Sequence, residues 1–375
     1  MRIRLKDAFD LQMGKTPARN TPSYWDGDHK WISIADIGSA GKYIATTKER
    51  ITDKAITESG IRAVPAHTVI MSFKLSIGKT AITSEEMYTN EAIMAFVSKG
   101  TYDIDADYLY HLCCGTEWTE GTNKAVMGLT LNKATLSEKR ISLPEITEQR
   151  NIAAKFDALD NVIEKTQSEL SSLDQLVKSR FVEMFGEPLK NAKGWIEAPL
   201  IEVAPIRQLH GLLQDEVWLL NLDAIESQTG VILFKQRVPV SEINASTVYF
   251  TVDSVLYSKL RPYLNKVVTP DENGIATSEL LPMYPIPNKL NRAYLCHWLR
   301  SDAFVKHISE KVAGAKMPRV AMDYFRTLSI ELPPLELQNR FAVFVSEVDK
   351  SKLAVKQSLE KLETLKKSLM QQYFG

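Results

Sequence analysis

The sequence predicts an α+β protein of two globular α/β domains separated by two long helices, which pair as an antiparallel coiled coil. The two halves form a pseudo-two-fold repeat. Three observations predict this. Residues 330–375 repeat residues 141–186 without a gap, 189 positions on, with 13 identities: Ile141, Leu143, Pro144, Gln149, Ala153, Asp160, Leu170, Leu173, Leu176, Lys178, Ser179, Phe185 and Gly186. A repeat of this length fixes an architecture before any residue is assigned a role. Within each copy apolar residues recur at alternating steps of four and three, the period of a coiled-coil seam. The segments between the copies share landmarks in the same order.

The seam of the first helix is Ile152, Phe156, Leu159, Ile163, Thr166, Leu170, Leu173 and Val177, with Leu176 and Phe181 beside it. The matching positions of the second are Phe341, Val345, Val348, Lys352, Val355, Leu359, Leu362 and Lys366, flanked by Leu365 and Leu369. Each helix is expected to begin after proline (Pro144; Pro333 and Pro334) and to end at Phe-Gly, where glycine suits the position after a helix. A chain that returns through a second domain brings its second helix back beside the first, most simply antiparallel.

The globular segments are read as diverged copies. Trp31 through Asp36 parallels Trp218 through Asp223, Val69 through Ser72 parallels Val255 through Ser258, and Tyr108 through Leu112 parallels Tyr294 through Trp298. Short β-rich runs at 31–37, 68–73, 91–97, 217–222 and 254–258 alternate with helical patches at 106–113 and 292–300. This mixture points to compact α+β domains rather than a doubly wound sheet.

Composition bounds the function classes. The chain has 375 residues, 44% hydrophobic and 25% charged, as in ordinary globular proteins. Net charge is zero, and 18 Lys+Arg against 17 Asp+Glu in residues 1–140 make that segment no polycation. Nucleic-acid binding must therefore come from cations gathered on one face. The N-terminus lacks the apolar segment of a signal peptide, and no apolar run approaches a membrane span. Cys113, Cys114 and Cys296 lack zinc-site spacing and fit a reducing compartment, so a cytoplasmic location is expected.

No catalytic constellation emerges. Ser76-Ile77-Gly78-Lys79-Thr80 suggests a phosphate loop, but Phe73 stands where its first glycine would be. Asp271 with Glu279 echoes a nuclease acid pair without the following lysine, and reads better as an acidic turn before a strand. His67, His111 and His297 look like ordinary helix or strand residues, and no metal site is expected.

The order of these segments resembles the specificity subunit of type I restriction-modification systems, over essentially the whole chain. The resemblance rests on the openings Leu143-Pro144-Glu145-Ile146-Thr147-Glu148-Gln149-Arg150 and Leu332-Pro333-Pro334-Leu335-Glu336-Leu337-Gln338-Asn339-Arg340. It rests also on Phe181-Val182-Glu183-Met184-Phe185-Gly186-Glu187-Pro188 followed by Gly194-Trp195, and on Gly14-Lys15-Thr16-Pro17 followed by Trp31 through Asp36. It implies a target-recognition domain at 1–143, a spacer helix at 144–186, a second target-recognition domain at 187–332 and a second spacer helix at 333–375. Such a subunit would select a bipartite sequence in double-stranded DNA and dock two methyltransferase subunits, through which restriction motor subunits join. It would catalyse nothing itself and carry no cofactor, S-adenosylmethionine, ATP and Mg being held by the partners. A coiled-coil scaffold that bridges proteins without reading DNA is the alternative.

Phosphate contacts need Lys or Arg in exposed loops, and base reading needs Arg, Lys, Asn or Gln within reach of a groove edge. In the first domain the candidates are Lys15 and Arg19, Lys74 and Lys79, and Asn123 and Lys124. In the second they are Arg207 and Gln208, Lys259, Arg261 and Lys266, and Lys316 and Arg319. Lys74 and Lys259 lie beside the same landmark and form the leading pair.

Overall fold

The structure is a computed structural model that describes residues 1–375 except Leu75, 119–130, Gln208, His210, 212–214, 244–245 and Ala315. It comprises two compact units, Met1–Gln167 with Gln357–Gly375, and Ser168–Lys356. The two long helices, Ile146–Phe185 and Leu335–Phe374, have 40 residues each and contribute to both units. At 1.5 Å per residue each is about 60 Å long. Among the described residues no helix is long and apolar enough to cross a membrane.

In the first unit, strand Arg2–Arg4 pairs antiparallel with Arg140–Ser142 and brings the ends of the domain together. Between them lies a five-stranded sheet ordered Phe9–Met13, Ile93–Ser98, Val69–Ser72, Thr80–Thr83, Tyr43–Ile44, of which only the last pairing is parallel. Val69–Ser72 and Thr80–Thr83 are buried along their whole length, polar Ser72, Thr80 and Thr83 included. A smaller sheet joins Glu49–Ile51, Trp25–Ile32 and Tyr88–Thr89. The expected extended run at 31–37 ends early, because Ser33 and Asp36 form a capping box that starts the helix Ile34–Ser39. Reciprocal bonds between Ser33 and Asp36 satisfy the helix's first N–H groups, and this local chemistry outweighs the strand pattern.

The helix Ala106–Gly115 packs on the first long helix around Phe156. The Phe156 ring stacks against His111 at 5.2 Å and Phe374 at 5.5 Å, and meets Tyr373 edge-on at 6.1 Å. Asp160 pairs with Lys366 at 2.5 Å. Residue numbers thus rise on one helix as they fall on the other, which makes the pair antiparallel. Gly115 permits the contact, since a Cβ there would lie 2.6 Å from Met370 Sδ and 2.8 Å from Phe374 Cδ2.

The second unit repeats the plan. Strand Ile196–Pro199 pairs antiparallel with Ser329–Leu332 and closes the domain. A four-stranded sheet runs Gln236–Pro239, Glu216–Leu220, Gly274–Thr277, Thr247–Phe250, and a three-stranded one Val267–Val268, Val255–Ser258, Leu280–Met283. The run expected at 217–222 stops at Leu220 and turns through a short 3-10 helix, Leu222–Ala224. The helices expected at 106–113 and 292–300 form as Ala106–Gly115 and Arg292–Arg300. Phe181, Phe185, Tyr294 and Phe341 form an aromatic cluster with ring separations of 4.7 to 5.4 Å. Asp174 pairs with Lys352, again in antiparallel sense.

The seam is visible in the burial pattern. Ile152, Phe156, Leu159, Phe341, Val345 and Val348 are buried where the helices also meet the domains. Ile163, Thr166, Leu170, Leu173, Val355, Leu359 and Leu362 are half-buried between exposed neighbours. Lys352 and Lys366 take apolar seam positions of the other copy and answer Asp174 and Asp160. Phe181 joins the core, whereas Leu176 and Leu365, expected beside the seam, are 47% and 49% exposed.

One polar contact recurs in both units. Gln149 Nε2 donates to Pro144 O at 2.9 Å and Asp103 O at 3.0 Å, and its Oε1 accepts from Asp105 N–H at 2.9 Å. Gln338 Nε2 donates to Pro333 O at 2.8 Å and Lys289 O at 3.2 Å, and its Oε1 accepts from Asn291 N–H at 2.8 Å. Asp105 and Asn291 cap the helices that carry Tyr108 and Tyr294. Those tyrosines donate to Ser142 O and Glu331 O, each at 2.9 Å. Both glutamines are almost wholly buried, at 1% and 0% exposed.

Gln338→Leu keeps the shape but strands one buried N–H and two carbonyls, so it should cost about 2–4 kcal/mol in urea unfolding, as should Gln149→Leu. A loss below about 0.5 kcal/mol in both would mean the ties are dispensable. A second expectation concerns pH. Burial lowers the pKa of His297 to about 3. The folded state then refuses a proton that the unfolded chain accepts below about pH 6.5, so stability is lost as pH falls through that value. Between pH 7 and 5 the loss from His297 should be about 2 kcal/mol, and His297→Gln should flatten the profile.

Candidate nucleic-acid interface

In the first unit the loop after strand Phe9–Met13 is fastened to an aromatic pair. Trp31 Nε1 donates to Lys15 O at 3.1 Å, Trp25 Nε1 donates to Ala18 O at 3.2 Å, and the two indoles meet edge-on at 5.2 Å. Gly14 passes so close to Thr89 that a Cβ would lie 2.2 Å from its carbonyl oxygen, hence the glycine. Both candidate cations of this loop have partners. Lys15 Nζ donates to Ser59 O. The Arg19 guanidinium lies 4.0 Å above Trp25 and pairs with Glu49. Arg19 is positioned, and an anion must compete with Glu49 to reach it.

Lys74 and Lys79 lie on the turn joining strands Val69–Ser72 and Thr80–Thr83. Ser72 builds the turn: its Oγ accepts from Lys79 N–H at 3.1 Å and donates to Ser76 O, while its N–H donates to Lys79 O at 2.8 Å. The phosphate-loop-like string is therefore a hairpin closure, with Gly78 at φ 90°. Lys79 is exposed and Lys74 half-buried with its Nζ 5.3 Å from the Phe73 ring. Asn123 and Lys124 lie outside the described residues.

The second unit gathers its candidates more tightly. Leu260 pairs with Arg319, Arg261 N–H donates to Pro318 O at 2.7 Å, and Val320 N–H donates to Lys259 O at 3.0 Å. These bonds place Lys259, Arg261, Lys316 and Arg319 on two adjoining segments, although 60 positions separate the first from the last. Arg319 pairs with Glu279 at 2.9 Å. Lys266 is turned inward instead: its Nζ donates to Leu222 O at 2.6 Å, and burial lowers its pKa. Its side chain is committed to the fold, which removes it from the exposed set. Arg207 is exposed, and Gln208 lies outside the described residues.

The acid pair read as an ordinary turn is one. Asp271 is held by Lys235 at 2.8 Å, which lowers its pKa, and Glu279 is held by Arg319. Of the three histidines, His67 adopts φ 55° on a turn rather than a strand. His111 is 1% exposed, and its Nε2 lies 2.7 Å from Asp157 Oδ1. Burial lowers the His111 pKa against the opposing effect of Asp157. Lys42 completes that cluster, reaching Asp157 at 2.6 Å and Asp107 at 2.8 Å. Sequence reasoning missed it because Lys42 and Asp157 are 115 positions apart and each is unremarked in its own stretch.

A family model described as Type I restriction modification DNA specificity domain matches residues 1–174 and 227–365. The chain is 27% identical over 237 residues to the Type I restriction enzyme MjaIX specificity subunit of Methanocaldococcus jannaschii, covering 58% of this chain and 54% of that one. That match spans about half the length of the relative. The Type I restriction enzyme EcoDI specificity subunit of Escherichia coli is 23% identical over 314 residues, 72% of this chain and 70% of its own. Two solved structures are similar across 100% of this chain. One, from work on complex assembly and conformational transition of the type I R-M system, has a TM-score of 0.64 at 17% identity and is 97% covered. The other, a type I restriction-modification system S subunit from M. genitalium, has a TM-score of 0.56 at 15% identity and is 96% covered. At these identities the structural likeness speaks for the fold.

Proposed function

This chain belongs to the type I restriction-modification DNA specificity family, and from that premise we propose that it reads a bipartite DNA target and docks two methyltransferase subunits. Each α+β domain takes one half-site. The observation that carries this reading is the repeated tie of Gln149 and Gln338, which fixes each domain to its long helix by the same three hydrogen bonds. Two equivalent frames thus present two different surfaces. Equivalent frames suit two identical partners, and different surfaces suit two different base sequences.

The chain acts by positioning. Lys79 and Lys316, both exposed, neutralise phosphates and set the register, while Arg261 and Lys259 meet base edges. Each cation that displaces counterions makes binding weaker in salt. Catalysis belongs to the partners, which hold S-adenosylmethionine, ATP and Mg, and the restriction motor joins through them. Zero net charge is the observation that favours the rival, a protein-bridging scaffold indifferent to DNA. Salt-dependent discrimination between the methylated sequence and a scrambled duplex separates the two.

Native mass spectrometry with excess methyltransferase should give a species with two partners per chain, and a limit of one would overturn the docking arrangement. Lys259→Ala with Arg261→Ala should relax one half-site in a map of methylated sequences and leave the other intact. A bidentate base contact is worth about 1–3 kcal/mol of discrimination, so the preference at that base pair should fall roughly tenfold or more. Equal relaxation of both half-sites would refute the division of labour.

A further inference from the structure

One segment of the second domain combines strained backbone, cations with no carboxylate partner among the described residues, and exposed apolar side chains. It runs from Lys259 to Lys266, turns through the 3-10 helix Pro262–Leu264, and lies against Lys316–Arg319. Arg261 at φ 49° and Asn265 at φ 50° are left-handed, although neither is glycine. Such backbone persists only where its surroundings over-determine it, and it clusters at functional sites. Four bonds hold the base of this turn. Gln228 N–H donates to Leu264 O at 2.9 Å, Gln228 Nε2 to Tyr263 O at 2.8 Å, Asn265 Nδ2 to Arg300 O at 3.0 Å, and Lys266 Nζ to Leu222 O at 2.6 Å. None of the four uses the side chain of Tyr263.

At that tip Tyr263 is 46% exposed, and Met317 on the adjoining segment is 47% exposed. Large apolar side chains on a pinned turn, rimmed by polar groups, mark a contact surface. The rim is cationic: among the described residues Lys259, Arg261 and Lys316 have no carboxylate partner, while the nearby Glu279 is taken by Arg319. An apolar tip inside a ring of positive charge complements a polyanion with flat apolar faces between its charged strands, which is duplex DNA. In the first domain the aromatic residue beside the matching landmark, Phe73, is 1% exposed and belongs to the core, so it offers no such tip.

We infer that Tyr263 and Met317 form a wedge that the second domain presses between stacked base pairs of its half-site, with Arg261 held to read the neighbouring base edge. This deepens the proposed DNA-reading function and rests on it. Part of the half-site is then selected by how easily a base step opens rather than by hydrogen bonds. Pyrimidine–purine steps unstack most readily, so one of them belongs at the wedge.

The test uses the complex assembled with its methyltransferase subunits on duplexes carrying the methylated sequence, with 2-aminopurine placed in turn at each step of the second half-site away from the methylated base. The wild type should raise fluorescence severalfold at one pyrimidine–purine step. Tyr263→Ala with Met317→Ala should abolish that rise and weaken binding about tenfold, with the first half-site still methylated selectively. Tyr263→Phe should keep both signals. A wild type with no local rise, or a double variant that retains rise and affinity, overturns the wedge while leaving DNA reading intact. A wild-type complex that binds cognate and scrambled duplexes equally defeats the DNA-reading function itself, and the wedge with it.

Discussion

Everything else in each half hangs from one buried amide. Gln149 and Gln338 join three backbone segments that secondary structure alone would leave separate: the proline before the long helix, the loop before the domain's helix, and that helix's N-cap residue. A buried backbone group without a partner is costly, and the start of a helix has several. The glutamine satisfies two carbonyls and an N–H at once, which sets the angle at which the domain leaves its helix. The aromatic packing against Phe156 and around Phe341 has its register because that angle is set.

The two halves keep this frame and differ in what fills it. In the first unit Phe156 lies between His111 and Phe374. In the second the large ring sits one helical turn earlier, at Phe341, against Phe181 and Phe185. His111 has a carboxylate beside it, Asp157, whereas the matching position near His297 is Ser346. Burial therefore depresses both imidazoles, but only the first has an anion opposing the shift. Lys42 adds a charge to the first junction, reaching Asp157 at 2.6 Å. Packing is conserved by volume rather than by residue identity, in keeping with how cores tolerate substitution.

Much of the architecture was legible in the chain because helices and their pairing are written in local period. The four-three rhythm predicts which positions lose exposure even at Lys352 and Lys366, where charge stands in for an apolar residue. Strand ends were less legible, since Ser33 and Asp36 override the alternation that precedes them through a bond pattern only three residues long. Among the candidate cations, sequence cannot distinguish Lys266, whose ammonium is spent on Leu222 O, from Lys259, whose backbone is paired and whose side chain has no ion pair among the described residues. That difference depends on contacts more than 40 positions away. The convergence of Lys259 and Arg261 with Lys316 and Arg319 is of the same kind: a product of tertiary pairing.

The closing strands have a consequence for how such a chain can change. Arg2–Arg4 lies beside Arg140–Ser142, and Ile196–Pro199 beside Ser329–Leu332, so each domain begins and ends at neighbouring points. Paired strands sit about 5 Å apart whatever lies between their far ends. The intervening residues form a closed loop whose length and sequence can drift without moving the helix that follows. Each domain is in this sense a cassette, bounded by a strand pair and latched by a glutamine. A new cassette needs only those edge residues and its own N-cap to inherit the frame.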